Sequence, residues 1–268
     1  MKKLNAIKSE KIWGYENWIA STHKNGFQKD FFEMCGGDYP LLVKVIQADK
    51  TLSVQVHPDD EKAALYEHCR GKTECWYVLS AKEDTELVYG LNGVYNASEL
   101  RKAIEANSLQ DCLRYEKVKA GDFIYIPAGT VHAICGGLRL LEVQQSSDIT
   151  YRLYDWGRGR ECHVEKGIAC IKDSSVRKIA PFPEAFSCPY FSIEEINVED
   201  FYSSKIENAS GKKNPRDIVL GFIIEGSGTV NGLPANAEDI FAFEPGESVE
   251  IKGCLKLMKI SAKQLFAF

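Results

Sequence analysis

The chain lacks the features that would carry it to a membrane, to nucleic acid or to a disulfide-rich exterior. Its longest apolar runs, such as residues 218–224, fall far short of the roughly 20 residues that span a bilayer. No basic stripe or polybasic tail stands out against a formal net charge of -5, which argues against a nucleic-acid partner. The first residues, Met1-Lys2-Lys3-Leu4-Asn5-Ala6-Ile7-Lys8, are basic but have no apolar core and no small-residue cleavage site, so they do not read as a signal peptide. A cytoplasmic location is the expectation. The nine cysteines are odd in number and irregularly spaced, which predicts reduced thiols. No C-x-x-C pair is present, so a thiolate zinc site of the usual kind is excluded. Histidine is scarce, five in all, and none occurs from residue 181 onward.

What the chain has is strands. Residues 40–46, 74–79, 85–89, 123–127, 131–135 and 139–144 are short runs rich in β-branched and aromatic residues. Gly-containing turns such as Ala120-Gly121-Asp122 and Cys135-Gly136-Gly137 separate several of them. Short strands at near-regular spacing predict a sandwich or barrel. Helices are the minority. Residues 98–106 carry apolar positions at 100, 103 and 104 behind Ser98 as N-cap, and residues 59–66 open on acids. Pro181 and Pro183 interrupt the pattern and place a boundary near 180. Beyond it come further strands at 191–196, 217–225 and 239–243, with 226–232 as a hairpin link. The segment 119–127 is echoed at 238–243, a weak internal repeat of two related β domains, 1–180 and 181–268.

The run Thr51-Leu52-Ser53-Val54-Gln55-Val56-His57-Pro58 alternates. With a side-chain period of two, Leu52, Val54 and Val56 point one way, and Ser53, Gln55 and His57 the other. Glu74 and His132 follow in strand-like segments of their own, so four nitrogen and oxygen donors can meet inside a barrel. Imidazole, carboxylate and amide suit a borderline cation such as zinc. A lone histidine on a strand is more often packed than ligating, and His23, His68 and His163 take that reading. Cys75, out of phase with Glu74, reads as wall packing.

Five motifs, in order, carry a resemblance: Trp13-Gly14, Gln55-Val56-His57-Pro58-Asp59-Asp60, Gly71-Lys72-Thr73-Glu74-Cys75-Trp76-Tyr77, Pro127-Ala128-Gly129-Thr130-Val131-His132-Ala133, and Ser147-Asp148-Ile149-Thr150-Tyr151-Arg152-Leu153-Tyr154-Asp155-Trp156. Together they resemble the short bacterial form of class I mannose-6-phosphate isomerase, a zinc-dependent member of the cupin superfamily. Tyr15 stands where the family usually has a second glycine, and the C-terminal third matches more loosely. The resemblance implies a mainly β fold: two cupin-type jelly-roll β-barrel domains with a few short helical insertions, the first (1–180) catalytic and metal-binding, the second (181–268) metal-free. It implies one Zn2+ per chain, held by Gln55, His57, Glu74 and His132. It also implies interconversion of mannose 6-phosphate and fructose 6-phosphate through a cis-enediol.

Arg152 falls on the family's active-site arginine. Its planar, permanently charged fork suits an enediolate oxygen or a phosphate. Lys72, two residues before Glu74, reads as a candidate base or a phosphate anchor, and Asp148 as the rival base or the residue that orients Arg152. Asp148, Thr150 and Arg152 share parity in a strand, which favours a functional role for Arg152 over a surface salt bridge with Asp155. The partner is a small sugar phosphate, with no nucleic acid and no membrane. Other readings are a non-catalytic sugar-phosphate-binding cupin, a cupin isomerase acting on another sugar, and a cupin oxygenase. A two-His, one-carboxylate triad with open positions would mark the oxygenase, and Gln55 as an extra ligand argues against it.

Overall fold

The computed structural model describes residues 1–172, 178–207 and 214–263. Strands dominate, with a few short helices between them. The chain divides into two compact units. One comprises residues 8–17 and 44–182. The other comprises residues 1–7 and 18–43 together with 183–268. The turn from one unit to the next falls between Phe182 and Pro183, whereas the sequence reading drew its line at 180. Much of the first 43 residues clusters with the C-terminal segment rather than with 44–182. No helix among the described residues is long and apolar enough to cross a membrane.

The unit built on residues 44–182 holds a five-stranded sheet ordered Tyr151–Tyr154, Val54–Val56, His132–Ile134, Glu86–Leu91, Leu113–Lys117. A seven-stranded sheet includes Asp122–Ile126, Glu74–Ala81, Leu138–Gln145 and Leu41–Ala48 as neighbours in that order. One apolar cluster draws on both sheets: Leu87, Tyr89 and Ile134 from the first pack with Trp76, Val78, Ile124, Ile126 and Leu140 from the second. The five-stranded sheet buries its other face too. Val54, Val56, Val88 and Ala133 pack with Leu100, Leu109, Leu153 and Cys170, so helices Ala97–Glu105 and Val164–Cys170 cover it. A sheet buried on both faces can give one of them over to polar groups without exposing them to water, and that inner face carries the site.

The alternation through residues 52–56 is only partly kept. The strand spans Val54–Val56, and Leu52 lies before it in the inter-sheet core, while Val54 and Val56 face the helices. The helix expected at 98–106 spans Ala97–Glu105, and its cap is Asn96 rather than Ser98. The Asn96 side chain accepts from Ser98 N and Glu99 N, and the Glu99 carboxylate accepts from Asn96 N in return, a capping box. The helix expected at 59–66 spans Asp60–Glu67 behind an Asp59 cap. Lys29–Cys35 and Val164–Cys170 are helices that the sequence reading did not anticipate.

In the other unit an eight-stranded sheet is organised around the long strands Val219–Val230 and Ser248–Ala262. Its core gathers Ile223, Val230, Phe241, Phe243, Ile251 and Leu257. The expected link at 226–232 is mostly strand. Pairing runs to Val230 opposite Leu233, and the turn is only Asn231-Gly232, with φ of 46° and 80°. Both residues are left-handed, the two-residue hairpin turn that Asn-Gly favours. In strand order none of the three sheets closes on itself among the described residues.

Candidate metal centre

Three neighbouring strands put polar side chains in one row. His132 is the cross-strand partner of Gln55, and Gln55 is the partner of Arg152 on its other side. Directly opposed residues share a face of the sheet, so all three side chains leave the inner face together. Glu74 comes from the first residue of the seven-stranded sheet's Glu74–Ala81 strand, and His57 from the residue after Val54–Val56. The ligand atoms of His57, Glu74 and His132 lie within 4.8 Å of one another, and all three residues are buried. His132 Nε2 is 3.5 Å from Glu74 Oε1, and His57 Nε2 is 3.6 Å from Glu74 Oε2.

The hydrogen bonds aim these groups. His132 Nδ1 lies 2.9 Å from the Thr130 carbonyl oxygen, which fixes Nδ1 as the donor and leaves the Nε2 lone pair facing the cluster. Gln55 Nε2 sits 3.2 Å from that lone pair; a turn of the amide would bring its oxygen to the same place. Trp76 packs edge-on to the His132 ring, with centroids 5.4 Å apart. Lys72 Nζ is 3.0 Å from His57 Nε2 and 2.9 Å from Glu74 Oε2, an ion pair between buried groups. Glu74 Oε2 is thus ion-paired to the ammonium, while Glu74 Oε1 is buried without a hydrogen-bond partner. Buried acceptors left this way are costly unless a cation takes them, and a carboxylate between two imidazoles is a donor set that fits one. His57, Glu74 and His132 thus form a buried group that could hold a metal ion, with the Gln55 amide beside it.

Charge follows burial. Desolvation, reinforced by the Lys72 ammonium, holds His57 well below the usual imidazole range. Desolvation also takes His132 down to about 4 against the opposing pull of the Thr130 carbonyl, so both rings are neutral, as ligation requires. Burial raises Glu74, a shift that Lys72 opposes. Beneath the cluster lies a polar layer that sequence reasoning missed. Lys44 Nζ donates to Glu142 Oε1 at 3.0 Å and to Gln144 Oε1 at 2.8 Å, and Trp76 Nε1 donates to Glu142 Oε2 at 3.0 Å. Burial pushes Glu142 upward, but the Lys44 and Lys72 charges outweigh it and hold the carboxyl low. The signal was in the sequence: Lys44 is the one charge in the Leu41–Ala48 strand, and Glu142 follows Leu140-Leu141 and precedes Val143 in the neighbouring Leu138–Gln145 strand of that sheet.

Lys72 is placed by its neighbours. Its N–H donates to the Pro58 carbonyl at 3.0 Å, and Gly71 N donates to Asp60 Oδ1 at 2.9 Å. A Cβ at Gly71 would meet Asp59 C at 2.5 Å and Asp60 N at 2.6 Å, so glycine is what lets this segment lie against the 58–60 backbone. Arg152 is half-buried, and its Nη1 donates to the Glu161 carbonyl at 2.6 Å. Its Nε is buried without a hydrogen-bond partner. The strand carrying Arg152 begins at Tyr151. Asp148 and Thr150 lie before it, so the shared-parity argument does not hold, and Asp148 is exposed in the preceding loop.

A mainly β fold with a buried His–Glu–His cluster and a lysine in contact with it defines a candidate mononuclear metalloenzyme. The sequence profile for phosphomannose isomerase type I, catalytic domain, matches residues 2–92. Mannose-6-phosphate isomerase ManA of Bacillus subtilis (strain 168) is 38% identical over 232 residues, covering 81% of this chain and 70% of that protein. A mannose-6-phosphate isomerase of Streptococcus mutans is 49% identical over 179 residues, covering 57% of this chain and 56% of that one. Among solved structures, the mannose 6-phosphate isomerase from Bacillus subtilis superposes with a TM-score of 0.83 at 27% identity, covering 96% of this chain and 98% of that one. The chain belongs to the type I phosphomannose isomerase family.

Proposed function

We propose that the chain is a zinc-dependent aldose–ketose isomerase that interconverts mannose 6-phosphate and fructose 6-phosphate through a cis-enediol. The observation that carries this reading is the buried cluster of His57, Glu74 and His132 with the Lys72 ammonium packed into it. Gln55, His57, Glu74 and His132 hold the ion, one per chain. Bound there, zinc supplies Lewis-acid stabilisation of the oxygens at C1 and C2. With neutral Gln and His ligands, Glu74 is the only anion in the set, which leaves the centre about one positive charge in excess.

The chain's own groups do the rest. The reaction moves a proton between C2 and C1, and Lys72 Nζ is the titratable atom in contact with the ligand set, so Lys72 is assigned the proton shuttle. Asp148, exposed in the loop before Tyr151–Tyr154, is the alternative from the rim. Arg152 shares the inner face with Gln55 and His132 and supplies a fixed positive charge beside the substrate. Lys44 and Glu142 neutralise each other below the cluster and keep Trp76 against His132. The two units are read as cupin-type jelly rolls, the C-terminal one without a metal site. The test is a coupled assay on mannose 6-phosphate with the metal-stripped protein, before and after zinc is restored. Activity should vanish and return; full turnover in demonstrably metal-free protein would refute the metal's role.

A further inference from the structure

Residues 152–160 hold three guanidinium groups, Arg152, Arg158 and Arg160, near the Asp155 carboxylate. Asp155 is buried, and both Arg158 and Arg160 clamp it. Arg158 is consumed by this loop. Its Nε donates to the Asp155 carbonyl and Oδ1, its Nη2 to Oδ1 at 2.8 Å, and its Nη1 to the Thr51 carbonyl at 2.8 Å. Arg160 is engaged on one edge only. Nε reaches Asp155 Oδ2 at 2.9 Å and Nη2 reaches Oδ1 at 2.5 Å, while Nη1 has no partner among the described residues. Arg152 spends Nη1 on the Glu161 carbonyl and leaves the Nε and Nη2 donors unused among the described residues. The chain turns back so that His163 N donates to the Arg152 carbonyl at 2.7 Å, which sets 160–163 alongside the Tyr151–Tyr154 strand. Arg158 and Arg160 lie close enough to push against the Arg152 charge, with Asp155 partly offsetting them. Three cations share one buried anion, and the unused donors belong to Arg152 and Arg160.

We infer that Arg160 and Arg152 form the subsite for the phosphate of the sugar phosphate, with Asp155 holding the Arg160 fork in place. This rests on the isomerase reading, and it adds a residue to that reading. The distances agree with the chemistry. Arg152 is two strands from His132 on the same face, about 10 Å at an inter-strand spacing of roughly 4.8 Å. In an open-chain hexose 6-phosphate six bonds separate C2 from phosphorus, about 7.5 Å when extended at roughly 1.25 Å per bond. Side chains reaching inward from both ends close the difference. A dianion also relieves the repulsion among the guanidiniums, for which Asp155 is the carboxylate partner among the described residues, and forked donors suit phosphate oxygens.

The test uses the zinc-loaded protein and two non-isomerisable probes, glucitol 6-phosphate and glucitol, titrated by calorimetry. The wild type should strongly prefer the phosphorylated probe. Arg160→Ala should lower that preference roughly ten- to a hundred-fold, the loss expected for a charge-assisted hydrogen bond, with zinc content unchanged. Arg160→Lys should keep part of it. Arg158→Ala should lower the melting temperature and leave the preference intact. An Arg160→Ala protein that keeps the wild-type preference, or loses both probes equally, overturns the subsite. Arg160→Gln, which keeps shape and one amide donor, decides the question if the alanine variant fails to fold. Wild-type protein that prefers the phosphorylated probe but does not isomerise mannose 6-phosphate would sink the isomerase reading and leave the anion subsite standing.

Discussion

Gln55 hydrogen-bonds His132 directly across a strand pair, Nε2 to Nε2 at 3.2 Å. The contact places the amide against the imidazole nitrogen and ties Gln55 and His132 to sheet register, with His57 one residue past its strand. A site built on strands is rigid, and its failure modes are correspondingly local.

Removing Glu74 should empty the centre. Glu74→Ala takes away the only charged ligand and leaves His57 and His132 close together, with ring centroids 4.8 Å apart. Metal content measured after dialysis should fall from about one per chain to near zero, a loss greater than the 10- to 100-fold typical of outer-shell changes. A variant that holds zinc as tightly as wild type would remove Glu74 from the ligand set.

Lys72→Met should separate chemistry from binding. The methionine fills the same buried volume without an amine. We expect kcat to drop by about 10²–10⁴, the range for a lost acid–base group, with zinc retained. Unchanged kcat would move the proton shuttle to another residue, and Asp148→Asn would then be the variant to measure.

Lys44→Met should cost stability more than Glu142→Leu and Lys44→Met combined. Both members of the pair are almost fully buried, and removing one alone strands the other's charge. Such breakage costs roughly 3–5 kcal/mol, whereas replacing both by apolar groups is often close to neutral. Denaturant unfolding of the two single variants and the double variant tests this.

Gly71→Ala should damage the site without touching it. The added methyl meets the backbone of Asp59 and Asp60, so the 71–73 segment must shift and carry Lys72 with it. A destabilisation of about 1–3 kcal/mol is expected, together with a fall in kcat at normal zinc content. Wild-type kcat in this variant would show that Lys72 need not be held where it is.

Asp155 gives a pH dependence whose sign is fixed. Burial pushes its carboxyl up, but the Arg160 and Arg158 contacts outweigh that and hold it below its ordinary value. A depressed carboxylate stabilises the fold above its unfolded pKa of about 3.9, and the contribution fades as pH falls through the folded value. Wild type should therefore melt higher than Asp155→Asn at pH 6–7, and the gap should shrink on acidification. A gap that widened toward low pH would contradict the assignment.

The strands were legible because they depend on local pattern. Runs such as 74–79 and 139–144 lengthened by a residue or two in the fold, to Glu74–Ala81 and Leu138–Gln145, without changing character. Errors came where a neighbour in space overrode the pattern. Leu52 has the parity of Val54 and Val56 but leaves the strand for the inter-sheet core. Asp148 has the parity of Arg152 but precedes its strand. Ser98 is a good cap by type, yet Asn96 wins because Glu99 can close a capping box with it. The Asn231-Gly232 turn was visible as a dipeptide, but only pairing across Val230 and Leu233 set its length.

Sequence by itself determined that this chain is mostly strand, and it supplied a rare set of donors, Gln55, His57, Glu74 and His132, in segments with the period of a sheet. Those are properties of side-chain type and spacing, which act over a few residues. Tertiary structure decided which donors meet, because register across three strands and the packing of two sheets join residues up to 77 apart in the chain. It also decided that Lys44 and Glu142 are joined through Trp76 to His132 and that the Arg160 charge acts on Arg152, since burial and charge compensation act through space.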